Sequence, residues 1–169
     1  MEIIKAVFVS LLLTVIFTFG VVAHAGEQQA PAFKLTSLEG KKFTQDDLTD
    51  KVTLMVFWAS WCGTCKHELP GIRDLQEKMK KQNFQVLAVG FADAETSIRK
   101  YITEHPRTFN FPVFYDVEDR VATQWGVRGT PTLFLIDKKG QVVLSHAGGG
   151  LLESRAFQKS LGTLIFNPS

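Results

Sequence analysis

Apolar residues run almost without interruption from Ala6 to Ala23, behind Lys5, and end on Ala23-His24-Ala25. A basic start, an apolar stretch and a small-x-small triplet make an export signal, so residues 1–25 are read as a signal peptide cut before Gly26. The same run is long enough to stay as an uncleaved membrane anchor. No cysteine lies near the cleavage point, which argues against a lipid-anchored lipoprotein. Residues 26–32 then form a short polar stretch, read as a flexible lead-in, and residues 33–167 make up one domain.

Within that domain the periodicity switches repeatedly between two and three to four residues. Phe33 to Leu38 and Lys41 to Thr44 flank Glu39-Gly40 as a hairpin, with Thr44 and Asp47 spaced as a capping box. Val52 to Trp58 is continuously apolar and rich in β-branched and aromatic residues, as a central strand covered on both faces requires, and Phe84 to Phe91 repeats the pattern. Between them a helix is predicted from Cys62 to Gln82. Leu69, Ile72, Leu75 and Met79 line one side of it, and Lys66, Arg73, Glu77 and Lys80 the other. Pro70 inside this helix predicts a kink near Lys66. Further on, helices are predicted at Ala94 to Glu104, Glu118 to Trp125 and Glu153 to Phe166. Strands are predicted at Phe111 to Tyr115, Thr132 to Ile136 and Gln141 to Ser145. Strands alternating with helices call for a layered α/β fold containing a βαβ unit.

Composition narrows the function. The 169 residues carry a net charge of +2 from interspersed acids and bases, so neither nucleic acid nor an acidic partner is indicated. The two cysteines, Cys62 and Cys65, sit three positions apart where a strand gives way to a helix. Two thiols across the first helical turn can close a disulfide, and the positive helix end stabilises a thiolate there. An exported chain usually spends cysteines on structural cross-links, yet none remains here for that purpose. The pair is therefore read as reversible electron-transfer chemistry. A zinc site using His67 as a third ligand lacks its fourth, and His105 and His146 fall outside any ligand spacing. No metal and no cofactor are expected.

Three segments carry a family resemblance: Phe57-Trp58-Ala59-Ser60-Trp61-Cys62-Gly63-Thr64-Cys65, Glu68-Leu69-Pro70, and Trp125-Gly126-Val127-Arg128-Gly129-Thr130-Pro131-Thr132-Leu133-Phe134-Leu135-Ile136-Asp137. With these the chain resembles the thioredoxin superfamily, and within it the exported TlpA/ResA-like thiol-disulfide oxidoreductases of the cytochrome c maturation branch. The resemblance covers most of residues 31–166, and Phe84 to Pro106 looks like the insertion that separates this group from plain thioredoxins. It implies a thioredoxin-like α/β fold, with a central mixed β-sheet flanked by helices, an N-terminal β-hairpin and an inserted strand-helix segment.

The resemblance also implies roles. Cys62 would be the exposed attacking thiol and Cys65 the buried resolving one. Thr130-Pro131 would be a cis bond that sets the Thr130 backbone beside the sulfurs to pair with an extended substrate, although an X-Pro bond by itself favours trans. Glu68 would exchange the proton of Cys65, the alternative being an ordinary solvated helix glutamate. The buried acid of plain thioredoxins, six residues before the first cysteine, is replaced here by Val56. Trp61 would form an apolar rim that contacts partners, Trp58 would pack in the core, and Gly63 and Thr64 would set the redox poise and, with Trp61, Thr130 and Pro131, bind the substrate. Implied partners are exported cysteine-containing proteins such as apocytochrome c and a membrane electron donor of the DsbD or CcdA type. A monomer in the periplasm, or on the outer face of the cytoplasmic membrane, is expected. Rival readings are a general periplasmic disulfide oxidant or isomerase, a thioredoxin-fold peroxidase, and a copper chaperone, whose cysteines are typically separated by three residues rather than two.

Overall fold

The computed structural model describes residues 28–166, so the export signal and its cleavage point lie outside the described residues. Among the described residues eight strands are formed: β1 (Gln28–Gln29), β2 (Lys34–Thr36), β3 (Lys42–Thr44), β4 (Val52–Trp58), β5 (Phe84–Gly90), β6 (Val113–Tyr115), β7 (Thr132–Ile136) and β8 (Gln141–Ala147). Helices are α1 (Gly63–Met79), α2 (Glu95–Glu104), α3 (Arg120–Gln124) and α4 (Arg155–Phe166). Six strands make one sheet in the order β1-β8-β7-β4-β5-β6, and β2 and β3 pair as a separate hairpin. β4 runs parallel to β5 and antiparallel to β7, so the sheet is mixed.

Every residue of β4 is buried because both faces of the sheet are covered. Leu54, Val56 and Trp58 face Cys65, Leu69 and Ile72 of α1, Ile98 and Tyr101 of α2, and Phe157 and Leu161 of α4. The alternate residues Met55 and Phe57 face the hairpin through Leu35 and Phe43, and α3 through Val121 and Ala122. Phe57 sits within an aromatic cluster, with ring centroids 6.0 Å from Phe91, 6.0 Å from Trp125 and 5.8 Å from Phe134. This fixes the end of β4, from which the two cysteines emerge.

Several expected elements differ. The lead-in is partly ordered into the sheet. Gln28 and Gln29 pair with Val142 and Gln141, and the buried Ala30 donates its N–H to the Gly140 carbonyl at 2.9 Å, because the edge of β8 offers free backbone partners. α1 starts one residue later than predicted, with Cys62 as its cap, and it ends at Met79. As in the predicted span, Pro70 lies inside it, on the exposed side. The helix predicted at 118–125 is cut short. Glu118 and Asp119 take left-handed φ values of 57° and 52°, and only Arg120–Gln124 is α-helical. The buried Asp116 explains this, since its carboxylate accepts from the Val121 amide at 3.0 Å and the Ala122 amide at 2.7 Å and so caps the shorter helix. Among the described residues no helix is long and apolar enough to cross a membrane.

Candidate active site

β4 leads through Ala59 and Ser60 into Cys62, which stands at the cap position of α1 with extended backbone (φ −79°, ψ 109°). Cys62 and Cys65 form a disulfide, with Cα atoms 5.3 Å apart. The Cys65 N–H donates to Cys62 Sγ at 3.0 Å, and the Lys66 N–H donates to the Cys62 carbonyl at 3.1 Å. A sulfur thus occupies the position where a helix cap usually places a side-chain oxygen. Both sulfurs are enclosed: Cys62 is 5% exposed and Cys65 1%. This corrects the expectation of an exposed Cys62, because its cap geometry turns the side chain back over the first turn rather than out to solvent. The neighbouring Gly63 and Thr64 are exposed and form the rim.

Trp61 is 61% exposed and flanks the disulfide, whereas Trp58 is wholly buried. The Trp61 indole N–H donates to the Ala92 carbonyl at 2.9 Å. In the same loop the Asp93 carboxylate accepts from the Ser60 N–H at 2.6 Å and from the Ala94 N–H at 2.8 Å. The segment after β5 therefore braces the approach to Cys62. Sequence reasoning missed Asp93. Its place just before α2 hints at a local cap, but its bond to Ser60 spans 33 residues and follows no local pattern.

Glu68 lies three residues beyond Cys65, one turn along α1, where helix side chains are neighbours. It is 9% exposed, and its Oε1 accepts from the Gly150 N–H at 2.9 Å, so it is not a solvated surface carboxylate. The Thr130-Pro131 bond is cis. Because Thr132 at the start of β7 pairs with Phe57 of β4, this proline and the cysteines share one end of the sheet. Pro131 is buried and its carbonyl accepts from the Gly148 N–H at 2.8 Å. A cavity of about 470 Å³ opens beside it, lined by Trp125, Gly129, Thr130, Phe134 and His146 among others. Among the described residues no cluster of three or more histidine, cysteine or acidic side chains is placed to hold a metal.

A family model described as AhpC/TSA matches residues 27–145. The chain belongs to the AhpC/TSA family. Within this family it is 34% identical, over 116 residues, to the thiol-disulfide oxidoreductase ResA of Bacillus anthracis, a match covering 69% of this chain and 66% of that relative. The chain thus spans just under two thirds of that relative's length. Two solved structures share the fold. One, assigned as a thiol:disulfide interchange protein DsbE from Chlorobium tepidum, is 32% identical with a TM-score of 0.75, covering 83% of this chain and 97% of that one. The other, assigned as a thioredoxin from Neisseria meningitidis, is 35% identical with a TM-score of 0.73, covering 83% and 91%. This AhpC/TSA member has the thioredoxin-like fold, with a mixed central sheet flanked by helices, and is a homologue of thiol-disulfide oxidoreductases.

Proposed function

We propose that the protein is an exported thiol-disulfide oxidoreductase that reduces disulfides in exported cysteine-containing proteins, apocytochrome c being the client that the ResA-like branch implies. The carrying observation is the pairing of Cys62 and Cys65 at the start of α1, with the Cys65 amide aimed at the Cys62 sulfur. In the reduced protein that amide and the positive helix end favour the Cys62 thiolate. The thiolate attacks one sulfur of the client disulfide, forming a mixed disulfide and releasing the other client sulfur as a thiolate that takes up a proton. Cys65 then loses its proton to the Glu68 carboxylate and attacks Cys62 Sγ. This closes the intramolecular bond and frees the second client thiol. Two electrons pass from Cys62 and Cys65 to the client. A membrane dithiol donor of the DsbD or CcdA type returns them by the reverse exchange.

Trp61, Gly63 and Thr64 line the approach, and the Thr130 backbone beside Pro131 offers main-chain contacts to an extended client segment. The sequence of residues 1–25 supports export to the periplasm or to the outer face of the cytoplasmic membrane. Commitment of both cysteines to one turn disfavours a peroxidase, and their two-residue separation disfavours a copper chaperone. The reading is tested by insulin reduction with the purified protein. Wild type is expected to be active and Cys62→Ser inactive, while Cys65→Ala is expected to accumulate a mixed disulfide on Cys62. Copper retained through gel filtration together with no insulin reduction would replace this reading with the chaperone.

A further inference from the structure

Three consecutive glycines, Gly148-Gly149-Gly150, cross the first turns of α1, and each is used differently. Gly148 has φ 92° and donates its N–H to the Pro131 carbonyl at 2.8 Å. Gly150 has φ 82° and donates its N–H to Glu68 Oε1 at 2.9 Å. Both lie in the left-handed region that favours glycine. Gly149 does not, and a Cβ there would meet Thr64 Cγ2 at 2.8 Å and Glu68 Oε1 at 3.2 Å. A methyl added there must displace the Thr64 side chain or the Glu68 carboxylate. The fully buried Leu151 anchors the far end of the segment, and the His146 ring contacts the Gly149 carbonyl at the near end, 3.0 Å away.

We propose that Gly148–Gly150 is a positioning strap that ties the Pro131 loop to α1 and holds the Glu68 carboxylate in the orientation that exchanges a proton with Cys65. This rests on the role given to Glu68 above. One carboxylate oxygen is fixed by the Gly150 amide, which leaves the other for the proton. Gly149 acts through Glu68 and Thr64 and is a positioning residue, not a catalytic one. The titratable groups that these contacts bring to the region are Cys62, Cys65 and Glu68 on α1, and His146 at the end of β8.

The test measures the rate at which a preformed mixed disulfide on Cys62 is released by Cys65, from pH 6 to 10, in the full-length protein. Gly149→Ala is expected to slow release about 10-fold at pH 7, a partial loss of the roughly 100-fold or more that general base catalysis contributes. The deficit is expected to narrow as pH rises toward 10, because hydroxide increasingly removes the Cys65 proton without a carboxylate base. Adding Thr64→Ser, which removes the methyl that the new Cβ meets, is expected to recover rate in the Gly149→Ala background. Combined with Glu68→Gln, Gly149→Ala is expected to cost nothing further. Gly162→Ala, whose added Cβ meets nothing, serves as the control. Should Gly149→Ala fail to fold, Thr64→Leu enlarges the same contact from an exposed helix position and is expected to give the same pH-dependent deficit.

The proposal is overturned if Gly149→Ala follows the wild-type profile, if its deficit is the same at every pH, if it adds to that of Glu68→Gln, or if Glu68→Gln itself is indistinguishable from wild type. Failure of wild type to release the mixed disulfide at any pH contradicts the oxidoreductase reading instead.

Discussion

Cys62 and Cys65 are joined twice, through the disulfide and through the Cys65 amide that points at Cys62 Sγ from 3.0 Å. The amide donates to Cys62 alone, which distinguishes the two sulfurs. At pH 7 the reduced protein is expected to be alkylated by iodoacetamide at Cys62 at least about tenfold faster than at the core-facing Cys65. Mass mapping of the labelled peptide at short times checks this, and equal labelling of both thiols would contradict it.

Asp93 holds the amides of Ser60 and Ala94 together just ahead of Cys62. Replacing it by Ala leaves the Ser60 donor unpaired in a half-buried position, at an expected cost of about 1–3 kcal/mol by urea unfolding. The same substitution frees the loop that carries the Ala92 carbonyl, so the fluorescence of Trp61 is expected to shift toward that of a solvated indole. No change in either quantity would show that the brace is idle.

Phe57 fills the centre of the hairpin-side core, in edge contact with Phe91 and Phe134. Phe57→Ala is expected to destabilise the protein by about 3–5 kcal/mol, as large aromatic truncations in cores do. Urea denaturation monitored by circular dichroism checks it. A cost under about 1 kcal/mol would mean that the cluster collapses into the space, at odds with close packing.

Burial pushes the Asp116 carboxyl above its ordinary value of 3.8, against the lowering effect of the Ala122 and Val121 amides. A raised folded-state value means the folded protein holds this proton more tightly than the unfolded chain does. The Asp116 contribution to stability therefore grows as pH falls from neutral toward 3.8 and is lost as pH rises through the folded-state value. Relative to Asp116→Asn, which does not titrate, wild type is expected to gain stability between pH 7 and 4 in urea melts. Parallel curves, or the opposite slope, would contradict the raised value.

Much of the framework is legible in residue order because it is local. The unbroken apolar run of β4, the three-to-four spacing of Leu69, Ile72, Leu75 and Met79, and the Glu39-Gly40 turn each specify their element within a few residues. Likewise Thr44 and Asp47 close their cap as spaced, with the Thr44 amide donating to the Asp47 carboxylate at 2.8 Å. What escaped depends on partners far along the chain. Gln28 and Gln29 are strand only because β8 is beside them, and the left-handed pair Glu118 and Asp119 follows from the buried Asp116. The burial of Cys62 likewise follows from the cap geometry of one sulfur, which spacing does not reveal. Glu68 and Gly150 meet across 82 residues, so their bond could be read only from the folded chain.

The most direct measurement is a redox titration of the purified protein in buffers of defined potential, read by the mass shift on alkylating Cys62 and Cys65. The account predicts a single two-electron transition, absent in Cys62→Ser, at a midpoint well below the roughly −120 mV of a strong oxidant such as DsbA. No transition would contradict a working dithiol, and a midpoint near about −120 mV would make the protein an oxidant rather than a reductant.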